Sequence, residues 1–460
     1  MTNAKQPQRE SWSPWLLPVG YLAVALAAAI VWAWQGRLIL ADDLETPLGT
    51  MLLGILCNAS CAILGCYLVL RRMSLLGDAI SHAVLPGLAL AFLFTGQVFG
   101  LPILLGAMAL GICTSFLTQT LQSLGRVSED ASMGVVFTSL FAAGVIMLQS
   151  WAGRAHLDAD CMLYGLMELA WGERVSLWGW EIPRALLSLV PALLLTLFFV
   201  TLFWKELKIV SFDPALAAAM GIRVAVVHYL LMAMVAGVTV AAFESVGSIL
   251  VVAMLIVPAA AAGLMTNRLA RMLVWAVIFG AVAAIFGYLG AAALNTNVAG
   301  MTAVAAGVQF AGAVFLAPKQ GLVSRWLANF SLRVRIESED VIGRLYRAEE
   351  ARGRGAAAET LRVGWLAWVY LARRQLVAGW GRRLALTERG RAAAQNLVRA
   401  HRLWESYLEK HFSLPTDHLH EPAERMEHFL DPALQAEIAA ELAGRAVDPH
   451  GREIPPQPGA

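Results

Sequence analysis

Residues 71–87 read RRMSLLGDAISHAVLPG, and the reading of this stretch decides the fold. Arg71 and Arg72 close one apolar run, and Leu85 and Pro86 lead into the next, LALAFLF. Between the two runs stand Asp78 and His82, four residues apart. On a helix that spacing stacks a carboxylate and an imidazole on one face. In or beside hydrocarbon such a pair is costly unless it faces a partner, water or an ion. A hard oxygen with a borderline nitrogen suits a divalent transition metal. A neutral hydrogen-bonded pair that locks two helices together is the plainer alternative.

Working outward, the chain has 460 residues, 58% of them apolar, and a mean hydropathy of +0.62, so most of it is expected in a membrane. Apolar stretches long enough, or nearly so, to span occur near 14–34, 48–70, 79–97, 101–122, 132–150, 184–204, 225–243, 246–264, 272–292 and 299–317. This predicts an all-α polytopic membrane domain of about 8–10 helices. The first run is long for a signal peptide and reads as a retained helix. Charged residues are sparse to about residue 320 and dense beyond it, which marks a soluble domain after the membrane part. The expected divisions are 1–46, a first helix and outer loop; 47–325, the main membrane domain; and 338–456, the soluble tail.

The formal net charge of +2 gives no argument for nucleic acid. Of the five cysteines, Cys57, Cys61, Cys66 and Cys113 fall in apolar runs and Cys161 in a loop; all read as small apolar residues. Lys and Arg gather in the loops holding Arg71, Arg72, Arg126, Lys205, Lys208, Arg223, Arg268, Arg271 and Lys319, which predicts both termini in the cytoplasm. The long outer loop 151–183 carries Arg154, His156, Asp158, Asp160 and Glu168 and reads as a solvated cap on the helices. No GxxxxGK[ST] occurs, so this polypeptide is not expected to hydrolyse ATP.

The inner segment KELKIVSFDPALAAAMGIRV holds a helix start at Phe212, Asp213 and Pro214, with Asp as N-cap and Pro in the first turn. Ala215 begins ALAAAMG, ended by Gly221.

GDAISHAVLPG resembles the signature of the permease subunits of ABC importers for manganese, zinc and iron, the ABC-3 metal-permease family. The resemblance continues through VSEDASMGVVFTSLFAAGV, the KELKIVSFDPALAAAMGI segment and VGSILVVAMLIVPAAAAGLMT, over roughly 45–320. It implies a bacterial inner-membrane permease subunit for a divalent metal, with Mn(II) favoured and Zn(II) or Fe(II) as the other candidates. Asp78 and His82 would form the transport site. Phe212, Asp213, Pro214, Ala215 and Gly221 would form the helix that couples to a separate ABC ATPase subunit, the only user of ATP. An extracytoplasmic metal-binding protein and a second permease chain, identical or related, complete the implied partners.

The tail changes character from about Ser338. A charged helix, a second helix, the short wing GWGRRLAL and LTERG entering a long helix resemble a trimmed winged-helix domain. LVRAHRLWESYLEKHFSLPTDHLHEPAERMEHFLDPALQAEI and VDPHGREIP resemble the metal-binding and dimerisation domain of diphtheria-toxin-repressor-like metalloregulators. The expected tail fold is thus a small α(+β) winged-helix and helical metal-binding domain. From spacing, His401 and Glu405 share one helix face, and Glu424, Glu427 and His428 a second, enough for one or two divalent ions. The resemblance groups Glu424, Glu427, His428 and His401 with Asp340 in one site, and Glu405 with His420 in an ancillary one. A further carboxylate of the manganese-sensing branch falls at Gly343. The candidate DNA-reading helix, GWLAWVYLARRQLV, presents Trp365, Leu366, Trp368, Val369 and Tyr370 where base contacts need polar groups, so no specific nucleic acid is expected.

Two other functions compete with the importer reading. One is a secondary metal transporter with Asp78 as a proton-coupled carboxylate. The other is a membrane-tethered, metal-dependent regulator.

Overall fold

A computed structural model of the chain describes residues 16–35, 45–73, 79, 86–87, 89–96, 101–151, 167–177, 179–318, 320–352, 363–412, 418–442 and 445–457. The chain divides into two compact units, Met1–Ser324 and Arg325–Ala460.

The first unit is helical. Its helices are α1 (Leu16–Gln35), α2 (Glu45–Leu70), α3 (Leu101–Gly125) and α4 (Glu129–Trp151), followed by the hairpin β1 (Arg174–Leu177) and β2 (Trp180–Pro183). Then come α5 (Arg184–Leu202), α6 (Trp204–Phe212), α7 (Pro214–Ala219), α8 (Val224–Val246), α9 (Ser248–Met265), α10 (Leu269–Leu294) and α11 (Val298–Leu316). Among the described residues, six helices are long and apolar enough to cross a membrane, within α2, α4, α5, α8, α10 and α11. Shorter apolar segments lie in α1 and α9. The chain is a multi-pass membrane protein.

The axis of this unit is α2, which packs on α9 and α10, while α10 packs on α11. Between Leu53 and Leu68 it is largely buried. Lipid tails are as apolar as these side chains, so helices in a bilayer associate through close packing rather than burial from water. Gly65 shows the consequence: a Cβ there would run into the main-chain carbonyl of Leu255 in α9. Backbone hydroxyl partners follow from the same solvent. Ser60, Thr114, Thr239 and Thr302 each donate to the carbonyl four residues back, at 2.6–2.9 Å, which gives these four hydroxyls a partner within their own helices. Cys57, Cys61 and Cys66 are buried free thiols in the same packing.

The hairpin pairs Arg174 with Pro183 through Leu177 with Trp180, antiparallel. Beside it, Glu168 Oε1 accepts from the Val298 N–H at 2.5 Å, giving an otherwise orphan first-turn donor of α11 a partner. The break between the apolar stretches 225–243 and 246–264 falls slightly later: α8 runs on to Val246, and Gly247, with φ +82°, parts it from α9.

In the second unit, α12 (Leu322–Arg352) supplies the first helix, followed by α13 (Trp365–Arg373), the wing β3 (Val377–Ala378) and β4 (Ala385–Leu386), α14 (Glu388–His411), α15 (His420–Met426) and α16 (Pro432–Glu441). One core joins Val341, Ile342 and Leu345 to Leu371, Val377, Leu384 and Leu386. A second joins Ala400 and Leu403 to Leu430, Ile438 and Leu442. Trp368 is half-buried: its Nε1 donates to the Gly379 carbonyl at 2.9 Å, and its ring meets Trp380 edge-on at 4.6 Å. Arg402, 4% exposed, grips both oxygens of Glu350 in α12 at 2.7 and 3.2 Å and lies 3.7 Å from Asp448. Asp448 in turn accepts from His450 and Arg452 N–H, which folds the C-terminal segment back on α14.

Candidate metal centre

α14 carries the key residues because it is strongly amphipathic. Its buried stripe includes Leu397, Val398, Ala400, Leu403 and Leu408, and His401 and Glu405 fall on that stripe. Both are almost inaccessible, at 4% and 1% exposure. A buried carboxylate and imidazole need partners, and two groups supply them.

In the first group, His401 Nε2 lies 3.0 Å from Glu405 Oε1 and 3.0 Å from His420 Nδ1. His420 Nδ1 lies 3.1 Å from the same Glu405 oxygen. Three potential ligand atoms therefore form a nearly equilateral triangle. Bonds of about 2.1 Å at right angles give ligand–ligand edges of about 3.0 Å, so this triangle matches one face of an octahedron. Two imidazole nitrogens and a carboxylate oxygen form a donor set that suits Mn(II), Fe(II) or Zn(II). His450 Nε2, 3.7 Å from Glu405 Oε1, stands at the rim.

In the second group, His428 Nε2 lies 3.2 Å from Asp340 Oδ1 and its Nδ1 2.9 Å from Glu339 Oε2. Asp340, Glu427 and His428 offer atoms within 4.8 Å of one another. This set is richer in oxygen than the first. Glu427 also faces Arg347 at 3.5 Å, and Arg335 holds Glu339 at 2.7 Å. The two groups meet where His401 Nδ1 approaches Glu427 Oε2 to 2.6 Å. That contact is close but oblique, and Nδ1 has no well-aligned hydrogen bond.

The electrostatics of the metal-free groups follow from these contacts. Burial pulls the His428 imidazole down, but hydrogen bonds to Asp340 and Glu339 outweigh it and push its pKa up to about 9. For His401, too, burial disfavours the cation, and the flanking Glu405 and Glu427 reverse the effect and raise it. Burial raises Glu339 and Glu405, yet the bonded His428 and Arg335, or His401 and His420, leave both below the usual carboxylate range. His428 thus keeps its proton at neutral pH, where a bound cation would displace it.

Of the residues expected from the sequence, His401, Glu405 and His420 come together, as do Asp340, Glu427 and His428. Glu424 is exposed and belongs to neither group. The expected continuous helix face for Glu424, Glu427 and His428 does not form. α15 stops at Met426, Glu427 is its C-cap, and a turn carries His428. Position 343 is buried, with space for a Cβ only 3.3 Å from Leu397, and offers no carboxylate. Sequence reasoning missed Glu339 and His450. Each had a faint signal: Glu339 adjoins Asp340, and His450 lies in VDPHGREIP.

In the membrane unit, Asp78 and His82 lie outside the described residues; Ala79 between them is buried. The segment 212–221 is fully described. Asp213 caps α7 by accepting from Leu216 N–H at 2.9 Å, with Pro214 in the first turn and Gly221 at φ +83° after the end. Ala215 lies in the first turn of α7. Phe212, Leu216 and Met220 are 56%, 51% and 61% exposed, an apolar row on a connector between helices.

The sequence profile of the ABC 3 transport family matches residues 44–317, more than half of the chain. The chain belongs to the ABC 3 transport family. Among its relatives is the manganese transport system membrane protein MntD of Bacillus subtilis (strain 168), 44% identical over 281 residues, which are 61% of this chain and 95% of that protein. The zinc transport system membrane protein TroD of Treponema pallidum (strain Nichols) is 37% identical over 287 residues, 62% of this chain and 78% of that protein. A solved structure titled PsaBC from Streptococcus pneumoniae in complex with Fab matches with a TM-score of 0.53 and 31% identity, over 64% of this chain and 97% of that one. Residues 387–456 of this ABC 3 family member also match the iron dependent repressor, metal binding and dimerisation domain. That span contains every residue of the two groups except Glu339 and Asp340.

Proposed function

We propose that this ABC 3 family member is the membrane subunit of an ATP-driven importer for a divalent transition metal, with Mn(II) favoured over Zn(II) and Fe(II). The 44% identity to a manganese transport membrane protein along nearly its whole length carries this reading. Asp78 and His82 hold the ion transiently as cargo, in a membrane site completed by a second permease chain. Both termini face the cytoplasm, so α7 does too. Its exposed Phe212, Leu216 and Met220 dock in a separate ABC ATPase, and the Asp213 cap keeps that short helix formed as the force is passed on. An extracytoplasmic protein delivers the ion on the other side.

The tail is a cytoplasmic metal sensor. His401, Glu405 and His420 hold one ion; Asp340, Glu427 and His428 hold another. A bound ion supplies double positive charge among carboxylates that are otherwise held by imidazolium and arginine. His428 releases its proton as ligation replaces it. A loaded tail slows import when cytosolic metal is plentiful. The oxygen-rich Asp340 group supports manganese as the sensed ion.

Uptake of radioactive manganese by cells carrying the chain with its ATPase tests the transport claim. Asp78→Ala and His82→Ala are each expected to lower uptake at least tenfold, and an ATPase unable to hydrolyse ATP to abolish it. Uptake that persists with the inactive ATPase would support the proton-coupled alternative and overturn this one.

A further inference from the structure

α12 meets two different surroundings along its length. Its later part gives Val341, Ile342 and Leu345 to a core of the tail. Its first turns are apolar too, yet Leu322, Val323, Trp326, Leu327 and Phe330 are all exposed, Trp326 at 64%. These five recur at i, i+1, i+4, i+5 and i+8, so they share one helix face, with Ser324, Ala328, Ser331 and Arg335 on the opposite one. Trp326 and Phe330 stack on the apolar face with ring centroids 5.5 Å apart. The start of α12 is tied to the end of a membrane span. α11 ends at Leu316, and the Gly321 N–H and the Ser324 hydroxyl both donate to the Ala317 carbonyl, at 3.0 and 2.8 Å. The exposed row therefore begins where the chain leaves hydrocarbon. Charge points the same way. Between Glu244 and Glu337 the sequence has no acidic residue, while Lys319, Arg325, Arg333 and Arg335 gather around the row. Arg325 and Arg333, both exposed, flank one edge of it.

We propose that the first turns of α12 are an interfacial lipid anchor: the Leu322, Val323, Trp326, Leu327 and Phe330 face sinks into the headgroup layer on the tail's side of the bilayer, and Arg325 and Arg333 bind the phosphates of anionic phospholipids. An amphipathic helix with aromatic and aliphatic side chains on one face and cations beside it partitions to that depth. Indole rings favour the same layer, and the long arginine stems lie along the acyl boundary while their heads reach phosphate. A second copy of the row is a poorer occupant. Pairing two such helices sets cation against cation with no acid to offset them, whereas anionic headgroups supply the missing charge. The contact restrains the same helix that carries Glu339 and Asp340 further along.

The test uses the full-length chain in nanodiscs of phosphatidylcholine mixed with phosphatidylglycerol. Cys113→Ala/Cys161→Ala removes two thiols, and Cys57, Cys61 and Cys66, fully buried, take no label. A nitroxide is then placed through Val323→Cys or Phe330→Cys on the row, or through Ala328→Cys or Ser331→Cys on the opposite face. All four positions are exposed, and two on each face leave the comparison intact if one variant misfolds. Electron paramagnetic resonance measures collisions with oxygen, which concentrates in lipid, and with a nickel chelate, which stays in water. The oxygen-to-nickel ratio is expected to be about threefold or more higher at Val323→Cys and Phe330→Cys than at the other two. Arg325→Glu/Arg333→Glu should lower the ratio on the row severalfold. High nickel access at all four positions means a solvated helix and overturns the proposal. Low access of both reagents on the row means that protein covers it, and overturns the proposal too. A ratio unchanged by the charge reversal overturns the assignment of anionic lipid.

Discussion

His428 is held between Glu339 and Asp340 with its pKa raised to about 9. Its folded value therefore lies above that of the unfolded chain, near 6.5. Such a group gives stability that is complete below about pH 6.5 and lost as pH rises through about 9. Glu339 and Glu405 work in the opposite sense, since both are lowered: their contribution is present above about pH 4.5 and fades as pH falls through their folded values. The metal-free tail should be most stable between those limits, around pH 5–6. Thermal unfolding of the chelator-treated chain, followed through hydrogen exchange of α14, checks the sign. Greater protection at pH 9.5 than at pH 6 would contradict it. The same residues mark the limit of local reading. His401 and Glu405 were legible because i and i+4 on a helix need no tertiary knowledge. Glu339 and His428 are 89 positions apart, and only the approach of α12 to the turn after α15 brings them together. Glu424 stays on the exposed side of α15, which spacing alone does not reveal.

At the level of elements, the short helix α7 was readable in full. Asp213, Pro214 and Gly221 are a start, a first turn and a stop written in adjacent residues, and all three act as such. The crossing of α2 and α9 was not readable, because both are uniformly apolar and nothing in either pattern says which faces meet. Gly65 is the mark of that crossing. Gly65→Ala places a methyl against the Leu255 carbonyl, and main chain in a packed helix yields less readily than a side-chain tip. The expected cost is about 1–3 kcal/mol, seen as a lower unfolding temperature and reduced yield of folded chain from membranes. An unchanged melting temperature would mean that α2 and α9 pack less tightly than the structure has them. The wing was also legible. The strand β4 and the Thr387 cap of α14, which accepts from Gly390 N–H at 3.0 Å, sit within GWGRRLAL and LTERG, while β3 falls just before that stretch, at Val377–Ala378.

At the scale of the whole molecule, the division into an apolar and a charged part was plain from composition, and two compact units follow it. Composition is a good guide here because the two solvents, bilayer and water, select opposite side chains over hundreds of residues. What joins the parts functionally is not written in composition. The central claim is that a metal-importing permease carries its own sensor, and import measured against cytosolic metal tests it most directly. Proteoliposomes would hold the chain and its ATPase, with ATP and buffered Mn(II) enclosed and the delivery protein with radioactive manganese outside. Initial uptake by the natural chain should fall severalfold as enclosed Mn(II) rises through the affinity of the tail, while the Glu427→Ala/His428→Ala chain keeps its full rate. Identical rates for the two chains at every enclosed concentration would contradict the account.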